Sequence, residues 1–422
     1  MPKQKKYTFI DLFAGCGGLS EGFLQTGRYE ALAHVEWEMP MVNTLRHRLV
    51  QKWGHSEEEA KKRVVCFDVQ KTEELIKGNW SEETKNIYAA KNSEFTVNHG
   101  LIGLCEGKKV DLIIGGPPCQ AYSIHGRATD KNSMQDDYRN FLFESFCKVV
   151  DVFKPEVFVF ENVKGLLSAK PGGKLVTERI YEAFTKIGYE ILNPSVIHTA
   201  LYNAKDYRVP QNRPRVIILG VRKGSELKLE DLYKSLSEEK NDEVLTVRDA
   251  IGDLPILLPL KEPIKEGRIT RSHNKNTNPS ISCHEARNHK ERERRVFADW
   301  VCNKMNSLSQ KEMIEYYFKI TGHNTKYQKY KSLEWNKPAH TIVAHLSKDG
   351  YMFIHPDSRQ ERSITVREAA CLQSFPRDFE FVASVPYSYK MIGNAVPVNL
   401  AYHVAMSIRT ALDKHGINYQ NL

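Results

Sequence analysis

Cys119 closes a run whose composition changes sharply over a few residues. Lys109-Val-Asp-Leu-Ile-Ile-Gly-Gly-Pro-Pro-Cys-Gln-Ala-Tyr-Ser123 passes from an apolar triplet through two glycines and two prolines to a thiol. A thiolate is a strong nucleophile, and one held at a stiff turn is free to attack a substrate. A buried structural cysteine is the ordinary alternative, but Pro117, Pro118 and the polar Gln120 and Ser123 argue against it. Further on, the apolar run Val157-Phe-Val-Phe160 delivers Glu161-Asn162-Val163. A carboxylate at the end of an apolar strand is poorly solvated, so its pKa should rise until it holds a proton near neutral pH. Gln211, Arg213 and Arg215 then alternate along an extended segment, so they should share one face and offer permanently charged forks. A nucleophile, a proton-holding acid and guanidinium groups are the parts of covalent catalysis on a substrate that gains negative charge.

The elements that must hold these groups are legible around them. Leu112 to Ile114 is too short for a helix and suits a central parallel strand. Gly115 and Gly116 then permit a tight exit, with Cys119 at the carboxyl end of the strand, where open α/β sheets do their chemistry. Tyr7 to Ile10 forms an earlier strand, followed at once by Asp11-Leu-Phe-Ala-Gly-Cys-Gly-Gly-Leu-Ser20 and a helix from Leu19 to Gln25. A glycine-rich turn between strand and helix is a nucleotide-type cofactor site. The dinucleotide pattern Gly-x-Gly-x-x-Gly is absent, which disfavours a nicotinamide oxidoreductase. The strand Glu30 to Val35 ends in Glu36, suited to ribose hydroxyls, beside Trp37, which either stacks on an adenine or packs in the core. Val64 to Phe67 ends in Asp68. Three strand ends therefore converge on one cleft.

Lys71 to Lys108 is polar and poorly patterned and reads as an insertion. Ile124 to Asn132 reads as a polar loop able to close over a substrate, with His125 and Arg127 placed to meet phosphates. Helices are expected over Arg139–Phe153 and Thr177–Ile187, and strands over Val196–His198 and Val216–Leu219. Strand–helix alternation then fails from about 222 to 362. Thr246–Ile251 reads as a short helix, Cys283–Met305 as a basic helical stretch, and Trp335–Val343 and Gly350–Ile354 as strands. Regularity returns with a short capped helix in Thr365–Pro376, whose Arg367 and Glu368 read as scaffold, and with an apolar helix from Leu400 to Leu412.

The bulk numbers agree with an ordinary globular chain: 422 residues, 41% hydrophobic and 27% charged. No apolar run approaches a membrane span, and the basic N-terminus leads into no signal-peptide core. The eight cysteines lack paired spacing, which suits a reducing cytoplasm. Cys283, His284, His289 and Cys302 fit no standard zinc pattern, so no metal is expected. Of the net charge of +9, nearly all lies between Lys261 and His345, which hold 17 Lys and Arg against nine Asp and Glu. Such a local surplus suggests a polyanion partner, with a solvated charged face as the alternative.

Pro117-Pro118-Cys119-Gln120, Glu161-Asn162-Val163, Gln211-x-Arg213-x-Arg215, Phe13-Ala-Gly-Cys-Gly-Gly18 and Gly393-Asn-Ala-Val-Pro397 stand in the motif order of the cytosine-5 DNA methyltransferase family, which the chain resembles over residues 7–222 and about 363–400. The resemblance implies an α/β fold, a Rossmann-like, mostly parallel sheet of seven strands with helices on both faces, plus a smaller irregular target-recognition lobe. It implies a catalytic and cofactor domain over 1–222, target recognition over 223–362, a conserved linking segment over 363–390 and a return to the first domain over 391–422. S-adenosylmethionine would be bound by Phe13, Ala14, Gly15, Gly17, Gly18, Leu19, Glu36, Trp37, Asp68, Val69, Pro117, Asn394, Ala395 and Val396, and released as S-adenosylhomocysteine. Cys119, Glu161, Arg213 and Arg215 would be catalytic. Gln120, Ser123, His125, Arg127, Gln211, Arg287, Asn288, Arg292 and Arg295 would contact double-stranded DNA. The expected setting is a monomer in a prokaryotic cytoplasm, associated with the nucleoid, either accompanied by a separately acting restriction endonuclease or standing alone as an orphan enzyme. A transfer-RNA methyltransferase of the same fold is the rival enzyme. Those relatives carry Cys-Phe-Thr and a small recognition region, and this chain has neither. A silent DNA-binding relative would have lost the cysteine, the glutamate or the glycine turn, and all three are present.

Overall fold

A computed structural model describes residues 6–118 and 142–415. The chain folds into two compact units. The first takes in the described residues of Met1–Arg208, Pro214–Asp242 and Ala395–Leu422; the second is Val209–Arg213 with Glu243–Asn394.

Among the described residues the first unit is built on an eight-stranded sheet: β1 (Tyr7–Leu12), β2 (Tyr29–Glu36), β3 (Val64–Cys66), β4 (Leu112–Gly115), β5 (Val157–Val163), β6 (Tyr189–Glu190), β7 (Leu201–Asn203) and β9 (Pro214–Arg222). β8 (Gln211–Asn212) belongs to the second unit. The spatial order is β3-β2-β1-β4-β5-β9-β6, with β7 also on β9; β3 through β5 run parallel, and every pairing of β9 is antiparallel. The order reverses between β1 and β4, the switch point where open α/β sheets bind ligands. Alternate residues of the strands serve opposite faces. Ile10 and Leu12 join the core that holds Phe146, Val149 and Phe158, while Phe9 meets Phe23 of the helix α1 (Gly18–Gln25), ring centres 5.7 Å apart. A second cluster, Val42, Leu45 and Leu49 of the helix α2 (Met39–Trp53), packs with Val64 and Cys66.

Register aligns the functional edge. Leu12 pairs with Val35 and Gly115, and Gly115 pairs with Phe160. Phe13, Glu36, Gly116 and Glu161 therefore stand in one row, each a residue beyond the last of these pairs.

Several local expectations need correction. The poorly patterned segment after Lys71, read as an insertion, is ordered: it forms helices Thr72–Lys77, Glu82–Tyr88 and Glu94–Leu104. Ser81 and Ser93, which look like loop residues, are N-caps accepting the amides of Thr84 and Thr96. Trp80, Val97, Leu101 and Leu104 enter the main core. Asn92 is buried and takes the place of a strand neighbour, accepting the Cys66 amide at 2.7 Å and donating to the Cys66 carbonyl at 2.9 Å. Ile197–Ala200 is a 3-10 turn, not a strand. The helix within Cys283–Met305 covers only Glu291–Cys302. Of the two strands expected over 335–354, only Ala339–His340 pairs, with Gln211–Asn212; Ile354 makes isolated bridges. The helix Val366–Leu372 is capped as expected, by Thr365, and Val247–Ile251 proves to be capped in the same way by Thr246, each with a reciprocal carboxylate.

The second unit has its own core of Val296, Phe297, Trp300, Met313, Tyr330 and Ile354. Arg367 and Glu368 are scaffold within it. Arg367 donates to the Ser282 and Phe379 carbonyls, and Glu368 forms a buried ion pair with Arg362 at 2.7 Å.

Candidate active site

The glycine turn rises directly from β1. Phe13, Gly15 and Gly17 have φ of 61°, 57° and 92°. A phenylalanine in this region is strained, a feature concentrated at functional sites. The Ala14 amide donates to the Val35 carbonyl at 2.9 Å, and the Gly17 amide to the Ala14 carbonyl at 2.8 Å. A Cβ on Gly17 would fall 2.6 Å from Leu45, whereas one on Gly15 would meet nothing within 4 Å. Gly17 is called for by its φ of 92°, since the Leu45 methyl can shift, while a Cβ on Gly15 would meet only open space. Gly18 and Leu19 begin α1 and are buried.

Glu36 ties this turn to the end of β2. One carboxylate oxygen accepts the Gly15 amide at 2.9 Å; the other accepts the amides of Trp37 and Glu38 at 2.8 and 2.9 Å. Burial pushes its carboxyl up to about 7, against three amides that favour the anion. A carboxylate has about four acceptor sites, so one remains for a ligand hydroxyl. Trp37 is 52% exposed, so the core-packing alternative for its ring is ruled out. Asp68 is half-buried and accepts the Gln70 amide at 3.0 Å; Val69 beside it is buried.

Beneath the turn lies a group the sequence reading missed. Asp11 is fully buried and accepts the Ser20 hydroxyl, whose oxygen is 3.0 Å from His34 Nδ1. With its single proton on Asp11, Ser20 accepts from His34, which fixes the imidazole tautomer. The sequence signal was present: a carboxylate within an apolar buried strand, leading straight into the turn.

At the other side of the switch point, β4 exits through Gly116-Pro117-Pro118. The glycines here serve space, since neither has φ in the left-handed region. A Cβ on Gly115 would lie 2.3 Å from the Leu12 carbonyl oxygen, and one on Gly116 2.8 Å from Glu161 Oε2. Asn162 donates to the Pro117 carbonyl at 3.2 Å, locking the exit of β4 to the end of β5. Glu161 Oε1 lies 2.8 Å from Arg215 Nε, and their side chains are only 11% and 10% exposed. Burial favours a neutral acid, but this guanidinium favours the carboxylate, an opposing effect that strand-end reasoning left out.

The three residues of the Gln-x-Arg-x-Arg segment part company. Arg215 stays on β9 beside Glu161, whereas Gln211 and Arg213 are buried in the second unit. Arg213 donates to the carbonyls of Ile342 and Gly393, at 2.5 and 2.9 Å. Gln211 donates to the Leu372 carbonyl and accepts the Ile342 amide. Both side chains expected at the reacting base or the DNA are therefore held by hydrogen bonds inside the second unit. Asn394 ends a helix, exposed, in the second unit; Ala395 and Val396 lead into the helix Val398–Lys414 of the first. That helix meets α1 so closely that a Cβ on Gly22 would lie 2.5 Å from Ala401 Cβ. Of the expected DNA contacts in the basic stretch, Asn288 and Arg292 are exposed. Arg287 donates to the Leu346 carbonyl and stacks on Tyr389, its guanidinium carbon 4.0 Å from the ring centre. Arg295 pairs with Glu291. Cys119, Gln120, Ser123, His125 and Arg127 lie outside the described residues. Among those residues no helix is long and apolar enough to cross a membrane.

Comparison with known proteins agrees with this site. The family model for C-5 cytosine-specific DNA methylases matches residues 7–76 and 65–410. The type II methyltransferase M.Bpa9945I of Bacillus paralicheniformis is 32% identical, over 96% of this chain and 99% of its own. The type II methyltransferase M1.HphI of Haemophilus parahaemolyticus is 31% identical, over 95% and 86%. Among solved structures, a DNA modification methyltransferase encoded in an E. coli prophage superposes with a TM-score of 0.61 at 23% identity, over 97% of this chain and all of that one, a likeness of fold. A strand-end glutamate paired with arginine, a glycine turn tied to an acidic neighbour, and a family match spanning both units lead to one conclusion: the chain belongs to the C-5 cytosine-specific DNA methylase family and is a DNA cytosine-5 methyltransferase.

Proposed function

We propose that the enzyme methylates one cytosine within a fixed duplex sequence, through covalent attack by Cys119 on a flipped base. The observation that carries this reading is the Glu161–Arg215 pair beside Gly116, at the mouth of the segment that leads to Cys119. Carbon 5 of cytosine is a weak nucleophile. Addition of the Cys119 thiolate to carbon 6 turns the ring into an enamine whose carbon 5 can attack. Glu161, in its protonated form, donates to ring nitrogen 3 as charge develops there, and Arg215 holds the carboxyl in place and bonds the cytosine carbonyl oxygen. Loss of the carbon 5 proton to a base, water serving as well as a side chain, then expels Cys119 and restores the ring. The base must leave the duplex stack for this to occur.

The glycine turn fits S-adenosylmethionine, the family's usual methyl donor. It offers open space at Gly15, a spare acceptor site on Glu36 for a ribose hydroxyl, the exposed Trp37 ring for an adenine face, and Asp68 for its amino group. When bound, S-adenosylmethionine supplies the electrophilic methyl group. We assign target recognition to the second unit, where the basic surplus lies. By likeness to type II methyltransferases we infer a role in restriction-modification, with a restriction endonuclease acting separately; a cytoplasmic monomer on nucleoid DNA is the setting we propose for it.

The test is methyl transfer to duplex DNA with bisulfite sequencing of the product, followed by Cys119→Ala. The variant should bind S-adenosylmethionine and transfer nothing. It should also form no denaturation-resistant adduct with 5-fluorocytosine DNA, whose fluorine cannot leave as a proton does. Retained turnover would refute the covalent route.

A further inference from the structure

The arginines that make residues 283–305 basic are largely committed within the fold. Arg287 is tethered to Leu346, Arg294 donates to the Leu260 carbonyl, and Arg295 pairs with Glu291. Apart from the exposed Arg292, further uncommitted charge lies on one ribbon. β10 (Pro259–Glu266) and β11 (Ile269–His273) form an antiparallel ribbon closed by the two-residue turn Gly267-Arg268. Every residue from 261 to 270 is exposed. Among the described residues, Lys261, Lys265 and Arg268 have no carboxylate in ion-pair reach, while Glu266 engages Arg271 and Lys275 at 3.0 and 2.9 Å. Register puts Ile264 opposite Arg271 and Glu266 opposite Ile269, so two isoleucines share a face, 50% and 64% exposed. Only the ribbon's base is anchored, by His273 donating to the Gln360 carbonyl and Arg294 to that of Leu260.

We propose that this ribbon is the base-reading element of the enzyme, entering the major groove with Arg268 at its tip. It rests on the assignment of target recognition to the second unit. A two-stranded ribbon alone is marginal in water and gains nothing from exposing isoleucines. The major groove admits such a ribbon, and its edges offer what these side chains seek. Guanine presents two acceptors to a guanidinium fork, and thymine presents a methyl group to an isoleucine. Lys261 and Lys265 supply phosphate contacts that set register without reading sequence. A protein strand adding to the ribbon edge is the poorer occupant. Pro263 removes a ladder donor there, and lysines border it.

The experiment begins with full-length wild-type enzyme acting on a pool of duplexes with randomised bases around a cytosine, read by bisulfite sequencing. Arg268→Ala and Arg268→Lys are then compared with it. Both should relax the preference at one base position, by about ten- to a hundredfold, because neither keeps the bidentate fork. Lys261→Ala with Lys265→Ala should leave the preferred context intact. It should also lower the slope of log affinity against log salt by roughly 0.9 for each lost phosphate contact. All three side chains are exposed, so melting temperatures should match wild type. A context profile unchanged in both Arg268 variants overturns the proposal. So does a solution oligomer that Ile269→Ala disperses while context is kept, which would assign the ribbon to a second copy of the chain. Wild type that methylates without any fixed context would sink the recognition assignment itself, a different failure.

Discussion

Gly116→Ala tests whether the placement of the Glu161 carboxyl sets the rate. An alanine Cβ at this position falls 2.8 Å from Glu161 Oε2, where ordinary contact begins at 3.4 Å, so the oxygen must retreat by about 0.6 Å. The backbone accepts alanine without strain, since φ lies outside the left-handed region. Oε1 is held by Arg215 Nε at 2.8 Å, so the carboxyl swings about that oxygen instead of sliding away. Misplacement by 1 Å can cost about a hundredfold in rate, and a shift near half of that about tenfold. The obstacle is the end of a side chain, so the stability cost should sit at the low end of overpacking, about 1 kcal/mol. Steady-state methyl transfer on the target duplex, titration calorimetry with S-adenosylmethionine and thermal melting separate the effects. We expect kcat to fall about tenfold while cofactor affinity stays within twofold, because Glu36 and the glycine turn are untouched. Wild-type kcat in a folded variant would refute the reasoning. A fall in kcat matched by an equal fall in cofactor affinity would place the disturbance at the turn instead.

Gly22→Ala should destabilise the first unit, because the added carbon lies 2.5 Å from the Tyr402 amide and 2.6 Å from the Val398 carbonyl, backbone atoms that cannot swing aside. Overpacking of about 1–3 kcal/mol or more should outweigh the ~1 kcal/mol helix-propensity gain; a raised melting temperature would contradict this contact. Glu368→Gln leaves the buried Arg362 guanidinium without its counter-charge and should cost about 3–5 kcal/mol in urea denaturation, with a loss below about 1 kcal/mol counting against it. Acid should weaken the fold through His273 and His340, which burial holds at about 4 instead of 6.5. Between those values the unfolded chain binds more protons, so stability falls as pH drops from about 6.5 towards 4, by about 3 kcal/mol for each histidine. Urea midpoints at pH 7 and 4.5 measure this, and a slope unchanged in the His273→Gln, His340→Gln double variant would show that other groups carry it.

What could be read along the chain was whatever neighbours in sequence decide. Apolar runs cut by glycine or proline marked β1, β4 and β5, and the acids Glu36 and Glu161, near the ends of β2 and β5, followed from the apolar runs before them. Thr365 announced a helix because a cap acts on the amide three residues on. Within the poorly patterned 71–108 stretch the caps Ser81 and Ser93 gave no such signal, because these short helices are fixed by Trp80 and Leu101 entering the core. Motif order sufficed for the family. Only the tertiary structure decided which charges are spent. Arg213 and Arg215 are two residues apart, yet one donates to carbonyls of the second unit and the other pairs with Glu161. Gly116 is required by a carboxylate on a neighbouring strand, and Asp11 by a hydroxyl and an imidazole from two other elements. The physical reason is common to all three. Burial and ion pairing depend on which strands lie side by side and in what register, and those pairings join residues far apart in the chain.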